Sequence, residues 1–165
     1  MVQGPTSRDG SYGTRHISNH RRSRRSARIE AQSTPAVLRT NFPNIIAGIK
    51  DSSGDWDNTK ALLSIDGLIV YPGAELPVID AIRLGAPGCI SATANLNGTD
   101  IAEVIALCHA GAWDAAEAKH KKVCAVRLLF QDYAPIPAQK ALLARQLGQP
   151  SWNNLRPPMQ PMATD

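Results

Sequence analysis

The stretch Asn44-Ile45-Ile46-Ala47-Gly48-Ile49-Lys50-Asp51-Ser52-Ser53-Gly54-Asp55 determines the expected fold of this 165-residue chain. Its apolar run is too short for a helix and ends in a loop rich in serine, glycine and aspartate. That pattern predicts a strand buried on both faces, as in a parallel sheet. Because side chains alternate along a strand, Ile46, Gly48 and Lys50 share one face.

Lys50 stands out because an ammonium group is costly to bury at the end of such a strand. Gly48, two residues earlier on the same face, leaves space beside it. A lysine in a tight apolar pocket has a lowered pKa, and its neutral amine can attack a carbonyl to form a Schiff base. The simpler alternative is a side chain that snorkels past the end of the strand into water. Composition alone favours this alternative.

Strand and helix patterns alternate after Lys50. Two further strands are predicted, at residues 68–71 and 88–91, with helices at residues 56–65 and 76–84. Strands that alternate with helices of about ten residues indicate βαβ units and a parallel sheet.

The rest of the chain is predicted to be helical. One helix should run from a cap at Thr99 or Asp100 to a stop at Gly111. Two more helices are expected at residues 112–133 and 137–147, with a break at the prolines between them.

Several motifs follow one another in a fixed order. Residues 48–55 are followed by Gly73-Ala74-Glu75, by Gly85-Ala86-Pro87-Gly88-Cys89-Ile90-Ser91-Ala92-Thr93-Ala94-Asn95, by Lys140 and by Leu155-Arg156-Pro157-Pro158. In this order they resemble the dihydrodipicolinate synthase and N-acetylneuraminate lyase family of class I aldolases. The resemblance covers residues 36–160 and is to the C-terminal part of a family member. It implies an α/β fold made of the last three βα units of a TIM (β/α)8 barrel, followed by C-terminal helices.

The resemblance also implies a site. Lys50 would condense with the ketone of pyruvate or another 2-oxo acid, and the iminium would serve carbon–carbon bond cleavage or formation without a metal or cofactor. Gly73, Glu75 and Ser91 are the candidate substrate-binding residues, since active sites of this fold lie at the C-terminal ends of the strands. A turn explains Gly73 and helix capping explains Glu75 equally well. Asp51, on the opposite strand face, is predicted to be structural.

Some of the family's pattern is missing before Lys50. The family positions the substrate carboxylate with a hydroxyl- and glycine-rich loop, and it moves protons with a tyrosine on the strand before the lysine strand. Neither motif precedes Lys50, and Tyr71, which follows the lysine strand, is not assigned that role. Asn97 stands where the family usually has proline. Intact relatives are expected to be homo-oligomers that use their final helices as subunit contacts.

The first part of the chain is basic, although the net charge of the whole is only +4. Residues 1–34 contain Arg21-Arg22-Ser23-Arg24-Arg25-Ser26 and almost no large apolar residues, so we predict a disordered extension, with the barrel portion at residues 35–165. The extension resembles an organelle transit peptide or a nucleic-acid-binding arginine cluster, and a solvated or non-native extension is the simplest interpretation. His16 and His20 are assigned no metal site.

Composition argues against several classes of protein. No stretch approaches the roughly 18 consecutive apolar residues that a membrane span requires. The three cysteines, Cys89, Cys108 and Cys124, are odd in number and include no Cys-x-x-Cys pair, so they indicate neither a disulfide framework nor a zinc site. Reduced thiols in a cytoplasmic protein are the simpler interpretation.

Two other functions compete with a Schiff-base lyase. A non-catalytic remnant would act only through its helices, in a mixed oligomer with intact relatives. A nucleic-acid-binding protein would depend on the arginine-rich extension, and removing residues 1–34 would then abolish salt-sensitive binding. The lyase is favoured over both, and nucleic-acid binding is the weakest of the three.

We expect little turnover from this chain alone. A closed eight-stranded barrel has no edges, whereas three strands leave two rows of unpaired backbone groups and a pocket open to water. Loss of a proton relay by itself commonly costs on the order of 10²- to 10⁴-fold in rate. Cleavage of a pyruvate aldol at neutral pH should therefore fall far below the roughly 10 s⁻¹ typical of enzymes, and a rate within about tenfold of that value would contradict the expectation.

Overall fold

The computed structural model describes residues 34–162, in which two strands are followed by helices. Helix α1 is described over residues 34–41. The elements after it are β1 (Gly48–Asp51), α2 (Trp56–Leu63), β2 (Ile69–Pro72), α3 (Val78–Arg83), α4 (Ala94–His109), α5 (Trp113–Leu129), α6 (Pro135–Leu147) and a 3-10 helix (Pro150–Asn153). None of the helices described is both long and apolar enough to cross a membrane. The predicted extension lies outside the described residues, apart from its last residue.

Strands β1 and β2 form the parallel pair that the sequence predicts, with α2 between them in the chain. The register places Gly48 opposite Ile69 and Lys50 opposite Tyr71. One face of the pair is buried, with Val70 only 1% exposed, and it packs on Leu62 of α2. This βαβ unit confirms the predicted α/β class.

The prediction of a strand at residues 88–91 is wrong. Within residues 34–162 the sheet contains only β1 and β2. The segment touches β2 through one backbone hydrogen bond, in which the N–H of Ile90 donates to the oxygen of Pro72 at 3.0 Å. Pro72 has no N–H to donate back to the segment, so the ladder on that side of β2 is interrupted there.

Two helix starts also differ from the prediction. Helix α4 begins at Ala94, five residues before the predicted cap at Thr99, and its N-cap Thr93 makes no side-chain capping bond. Asn97 has non-helical angles, φ −131° and ψ 25°, so the sequence pattern detected only the part of α4 after this kink. Pro135 starts α6 instead of breaking the chain, because proline lacks only an N–H that is unsatisfied in a first helical turn anyway.

A larger apolar cluster joins α3, α4 and α5. Val78, Val104 and Val123 are almost completely buried in it, and each contributes roughly 1.5–3 kcal/mol by leaving water. Cys108 lies in the same cluster. The packing holds α3, and with it the loop after β2, against the two long helices.

Asp51 anchors the loop that follows β1. Its side chain is 7% exposed, whereas that of Lys50 is exposed on the other strand face. Oδ1 accepts hydrogen bonds from the N–H of Ser53 (3.0 Å) and from Nδ2 of Asn58 (3.1 Å), and Oδ2 accepts one from Thr59 Oγ1 (2.6 Å). Burial raises the pKa of this carboxyl, but the hydrogen bonds outweigh burial and hold the pKa below its ordinary value of 3.8. Asp51 therefore has the structural role that its strand face predicts.

Gly48→Ala is expected to weaken the β1–β2 pair. A Cβ at residue 48 would meet the backbone oxygen of Ile69 and lie 2.9 Å from its Cβ. Because the obstacle is the backbone of the paired strand, relief requires the strands to separate, and the free energy of unfolding should fall by about 1–3 kcal/mol. Urea denaturation measures the change. The matched control is Gly98→Ala in α4, where the added Cβ meets no atom within 4 Å, so stability should stay the same or rise. Equal stability of G48A and the native chain would contradict the proposed constraint.

Asp51→Asn tests whether the buried charge stabilises the fold. The variant should lose about 1–3 kcal/mol at neutral pH, because charge-assisted hydrogen bonds are replaced by neutral ones and one buried donor loses its acceptor. Since the folded-state pKa is lowered, the stabilisation is present above the unfolded-state value and is lost as the pH falls through the folded-state pKa.

The difference in stability between native chain and D51N should therefore be constant from about pH 6 to 8 and shrink below about pH 4. Thermal unfolding across this range measures it. Asp66→Asn, at an exposed turn residue, is the control. If the difference in stability persists unchanged at about pH 3, the shape of the Asp51 side chain and not its charge is responsible.

Candidate functional site

Lys50 is the next-to-last residue of β1 and its side chain is exposed. Tyr71, directly opposite in the register, is the next-to-last residue of β2. Paired residues of neighbouring strands point to the same face, so a phenol stands beside the amine on the face away from Asp51. Sequence order alone left Tyr71 outside the site. Lys50 and Tyr71 each lie two positions before the loop that follows their strand, and this shared position is the sequence signal that could have identified Tyr71.

Gly73 brings the loop after β2 against the end of β1. Its N–H donates to the backbone oxygen of Asp51 at 2.6 Å. A Cβ on Gly73 would lie 2.7 Å from that oxygen and 3.0 Å from the Cα of Ser52, so only glycine fits this approach. The space beside Gly73 is thus taken by the neighbouring loop, which accounts for the glycine without a ligand.

Glu75 is completely buried, at 0% exposure. Its Oε2 accepts a hydrogen bond from Ser91 Oγ at 2.5 Å, its Oε1 accepts one from Thr93 Oγ1, and the two hydroxyl oxygens are 2.9 Å apart. The structure thus brings together two predicted site residues, Glu75 and Ser91, and adds Thr93, which the sequence did not single out. The alternative that Glu75 caps the next helix is wrong, because the N-cap of α3 is Pro77 and no side chain caps it.

Groups on α5 and in the loop before α4 surround this carboxylate. Nε2 of His120 donates to the backbone oxygen of Glu75 at 2.8 Å, and Cys124 Sγ lies 3.3 Å from the same nitrogen. Burial, together with the negative charge of Glu75, raises the pKa of Cys89 to about 11 and also raises the pKa of Cys124. Both thiols are therefore protonated at neutral pH, and neither is a ready nucleophile.

A cleft of about 420 Å³ opens between the loops after β1 and β2. Asp51, Ser52 and Gly73 line it from the strand ends, and Arg127 lines it from α5. Lys50 is absent from its lining, so the cleft lies on the Asp51 side of β1. No group of three or more histidine, cysteine, aspartate or glutamate side chains within residues 34–162 is arranged to hold a metal ion.

Comparison with known sequences agrees with the motif order. Residues 24–165 match the model of the Dihydrodipicolinate synthetase family. The 4-hydroxy-tetrahydrodipicolinate synthase of Buchnera aphidicola subsp. Cinara cedri is 34% identical over 121 residues, which are 72% of this chain and 40% of that protein. The protein of the same name from Thermus thermophilus is 34% identical over 134 residues, which are 79% of this chain and 44% of that protein.

Solved structures show the same partial coverage. Dihydrodipicolinate synthase from Agrobacterium tumefaciens superposes with a TM-score of 0.67 at 26% identity, over 80% of this chain and 43% of that one. A 2-keto 3-deoxygluconate aldolase from Picrophilus torridus superposes with a TM-score of 0.69 at 22% identity, over 82% of this chain and 48% of that one. At this identity the likeness shows a shared fold alone.

The strands and helices described above thus match part of a TIM barrel, as predicted, and the chain spans less than half the length of the relatives it matches. Because the family match includes every described residue, this chain belongs to the dihydrodipicolinate synthetase family, a family of lyases.

Proposed function

We propose that this chain carries the Schiff-base lysine of a class I lyase or aldolase that acts on pyruvate or a related 2-oxo acid, and that Lys50 is the nucleophile. The supporting observation is the position of Lys50 at the C-terminal end of a parallel strand, exposed and paired in register with Tyr71. Active sites of TIM barrels are built at that end of the strands.

The chemistry needs an amine and a route for protons. The Lys50 amine attacks the ketone carbon, and the resulting carbinolamine loses water to give an iminium. The iminium withdraws electrons from the adjacent carbon, which either loses a proton to form an enamine or receives electrons as an aldol bond breaks. We assign the transfer of a proton to the departing hydroxyl to the phenol of Tyr71, which is opposite Lys50 in the register.

Gly73, Glu75 and Ser91 remain proposals as substrate-binding residues. Both carboxylate oxygens of Glu75 already accept hydrogen bonds. Glu75 is also 0% exposed, so direct contact with a substrate would require a covering side chain to move. A location in the cytoplasm and a nucleic-acid role for the arginine-rich extension likewise stay predictions.

A second candidate function is association through the C-terminal helices without catalysis. Large apolar side chains at the end of α5 and the start of α6 are exposed, including Leu129 at 69%, Tyr133 and Ile136. Exposed apolar patches of this kind mark interaction surfaces. Co-purification with a full-length relative would favour this alternative, and specific labelling of Lys50 would favour the lyase.

Trapping with pyruvate and borohydride tests the nucleophile. Reduction of an imine leaves a stable carboxyethyl group on the lysine, which peptide mass mapping locates. We expect the adduct on Lys50 well above that on Lys60, an exposed lysine paired with Asp57 at 3.0 Å. Lys50→Ala should remove the major adduct and leave the minor ones unchanged. Equal labelling of all exposed lysines would contradict the assignment.

Tyr71→Phe tests the proton donor separately. The variant keeps the ring opposite Lys50 in the register and loses only the hydroxyl, so imine trapping on Lys50 should slow by at least about tenfold if the phenol takes part in proton transfer. Tyr133→Phe, at an exposed residue outside the sheet, is the matched control and should trap at the native rate. A native rate in Y71F would remove Tyr71 from the mechanism.

A further inference from the structure

The first turn of α4 ends at a side chain that is buried without a hydrogen-bond partner. Asn97 is 9% exposed, and neither its Nδ2 nor its Oδ1 finds a partner among residues 34–162. Its backbone leaves the helical region, with φ −131° and ψ 25°. Buried polar side chains nearly always have a partner. The carboxamide of Asn97 is therefore held by packing alone.

The residue that follows is glycine, and Asn97-Gly98 is the only Asn-Gly pair in the sequence. The backbone nitrogen of the next residue can attack an asparagine side chain, and a glycine at that position offers the least steric resistance. A Cβ built on Gly98 meets no atom within 4 Å, so the fold leaves space around this peptide. Because the attack is intramolecular, no ligand has to reach the buried carboxamide.

We propose that Asn97 is a site of spontaneous deamidation. The nitrogen of Gly98 gives up its proton and forms a bond to Cγ of Asn97. The bond from Cγ to Nδ2 breaks, and the side-chain nitrogen takes up a proton and leaves as ammonia. Water then opens the five-membered imide at one of its two carbonyls, which leaves an aspartyl or an isoaspartyl residue. Water is the only co-reactant, and nothing is oxidised or reduced.

Local opening of the first turn of α4 supplies the freedom that the reaction needs. The N-cap Thr93 makes no side-chain capping bond, because its hydroxyl donates to Glu75 instead. Gly98 adds backbone freedom directly after the kink. Opening breaks no hydrogen bond of the Asn97 side chain and lets water solvate it. This turn should therefore open more readily than the rest of the helix.

Asn95 provides a comparison within the same turn. Its side chain is exposed, but Nδ2 donates to the backbone oxygen of Ala92 at 2.8 Å. Leucine follows it, so the nitrogen that would attack is more crowded than that of Gly98. The two asparagines therefore differ in the two features on which the proposal rests.

The modification would act on the neighbourhood of the buried carboxylate described above. The N–H of Asn97 donates to the backbone oxygen of Thr93 at 2.9 Å, and Thr93 in turn donates to Glu75. A carboxylate is costlier to bury without donors than a carboxamide, and an isoaspartyl residue adds a carbon to the main chain. Both products should therefore loosen the turn that carries Thr93. This effect does not depend on Schiff-base formation at Lys50.

Incubation of the full chain at mildly alkaline pH tests the proposal. Peptide mass mapping of samples taken over several weeks follows the mass increase that accompanies the loss of ammonia and the gain of water. We expect Asn97 to convert at least about tenfold faster than Asn95. Gly98→Ala should slow the conversion at least about fourfold, because alanine crowds the attacking nitrogen and makes the turn harder to open. Equal rates at the two asparagines, or a native rate in G98A, would overturn the proposal.

Asn97→Asp tests the structural effect of the aspartyl product. Amide hydrogen exchange at residues 91–97 should be at least about fivefold faster in N97D than in the native chain, since the buried charge favours the open turn. Exchange in the β1–β2 pair should keep its native rate, which separates local loosening from global unfolding. Asn95→Asp, at an exposed residue of the same turn, is the control and should exchange no faster than the native chain. Native exchange at residues 91–97 in N97D, or equal acceleration in both regions, would contradict the local effect.

Discussion

The close approach of Gly48 to Ile69 is the constraint on which the rest of the structure depends. It lets β1 and β2 pair in a register that puts Lys50 opposite Tyr71. The same register turns Asp51 and Pro72 to the buried face, where α2 packs. The amine and the phenol share one face because Lys50 and Tyr71 are paired in this register, and Gly48 lets the two strands come close enough to pair. A side chain at residue 48 would disturb both faces at once.

The buried carboxylate of Glu75 joins the loop after β2 to the segment that precedes α4. A buried ionised carboxylate without partners costs several kcal/mol, and a hydrogen bond to a charged group returns about 1.5–3 kcal/mol. Ser91 and Thr93 both donate to Glu75. These two hydrogen bonds offset much of the cost of burying the carboxylate, and they fix the path of the chain at Ser91 and Thr93.

Local patterns made the βαβ unit and the position of Lys50 predictable from the sequence. A short apolar run, a lysine and a capping loop are neighbours in the chain, and their periodicity is visible without a partner strand. The position of Tyr71 opposite Lys50 was missed because it depends on the register between strands, which neighbouring residues do not encode. The start of α4 was missed for a different reason. Its first turn, before the kink at Asn97, lacks the apolar periodicity by which helices are recognised.

The two faces of the β1–β2 pair differ in their exposure to solvent. On the Asp51 face, Val70 is 1% exposed under α2, while on the Lys50 face Ile69 is 45% exposed beside Tyr71. An apolar strand face open to this degree is the kind of surface that further protein covers. Covering it would also exclude water from the amine, which is the condition under which a lysine becomes a good nucleophile. The contact that completes the apolar face and the contact that activates Lys50 would therefore be the same contact, because Ile69 and Lys50 project from the same side of the pair.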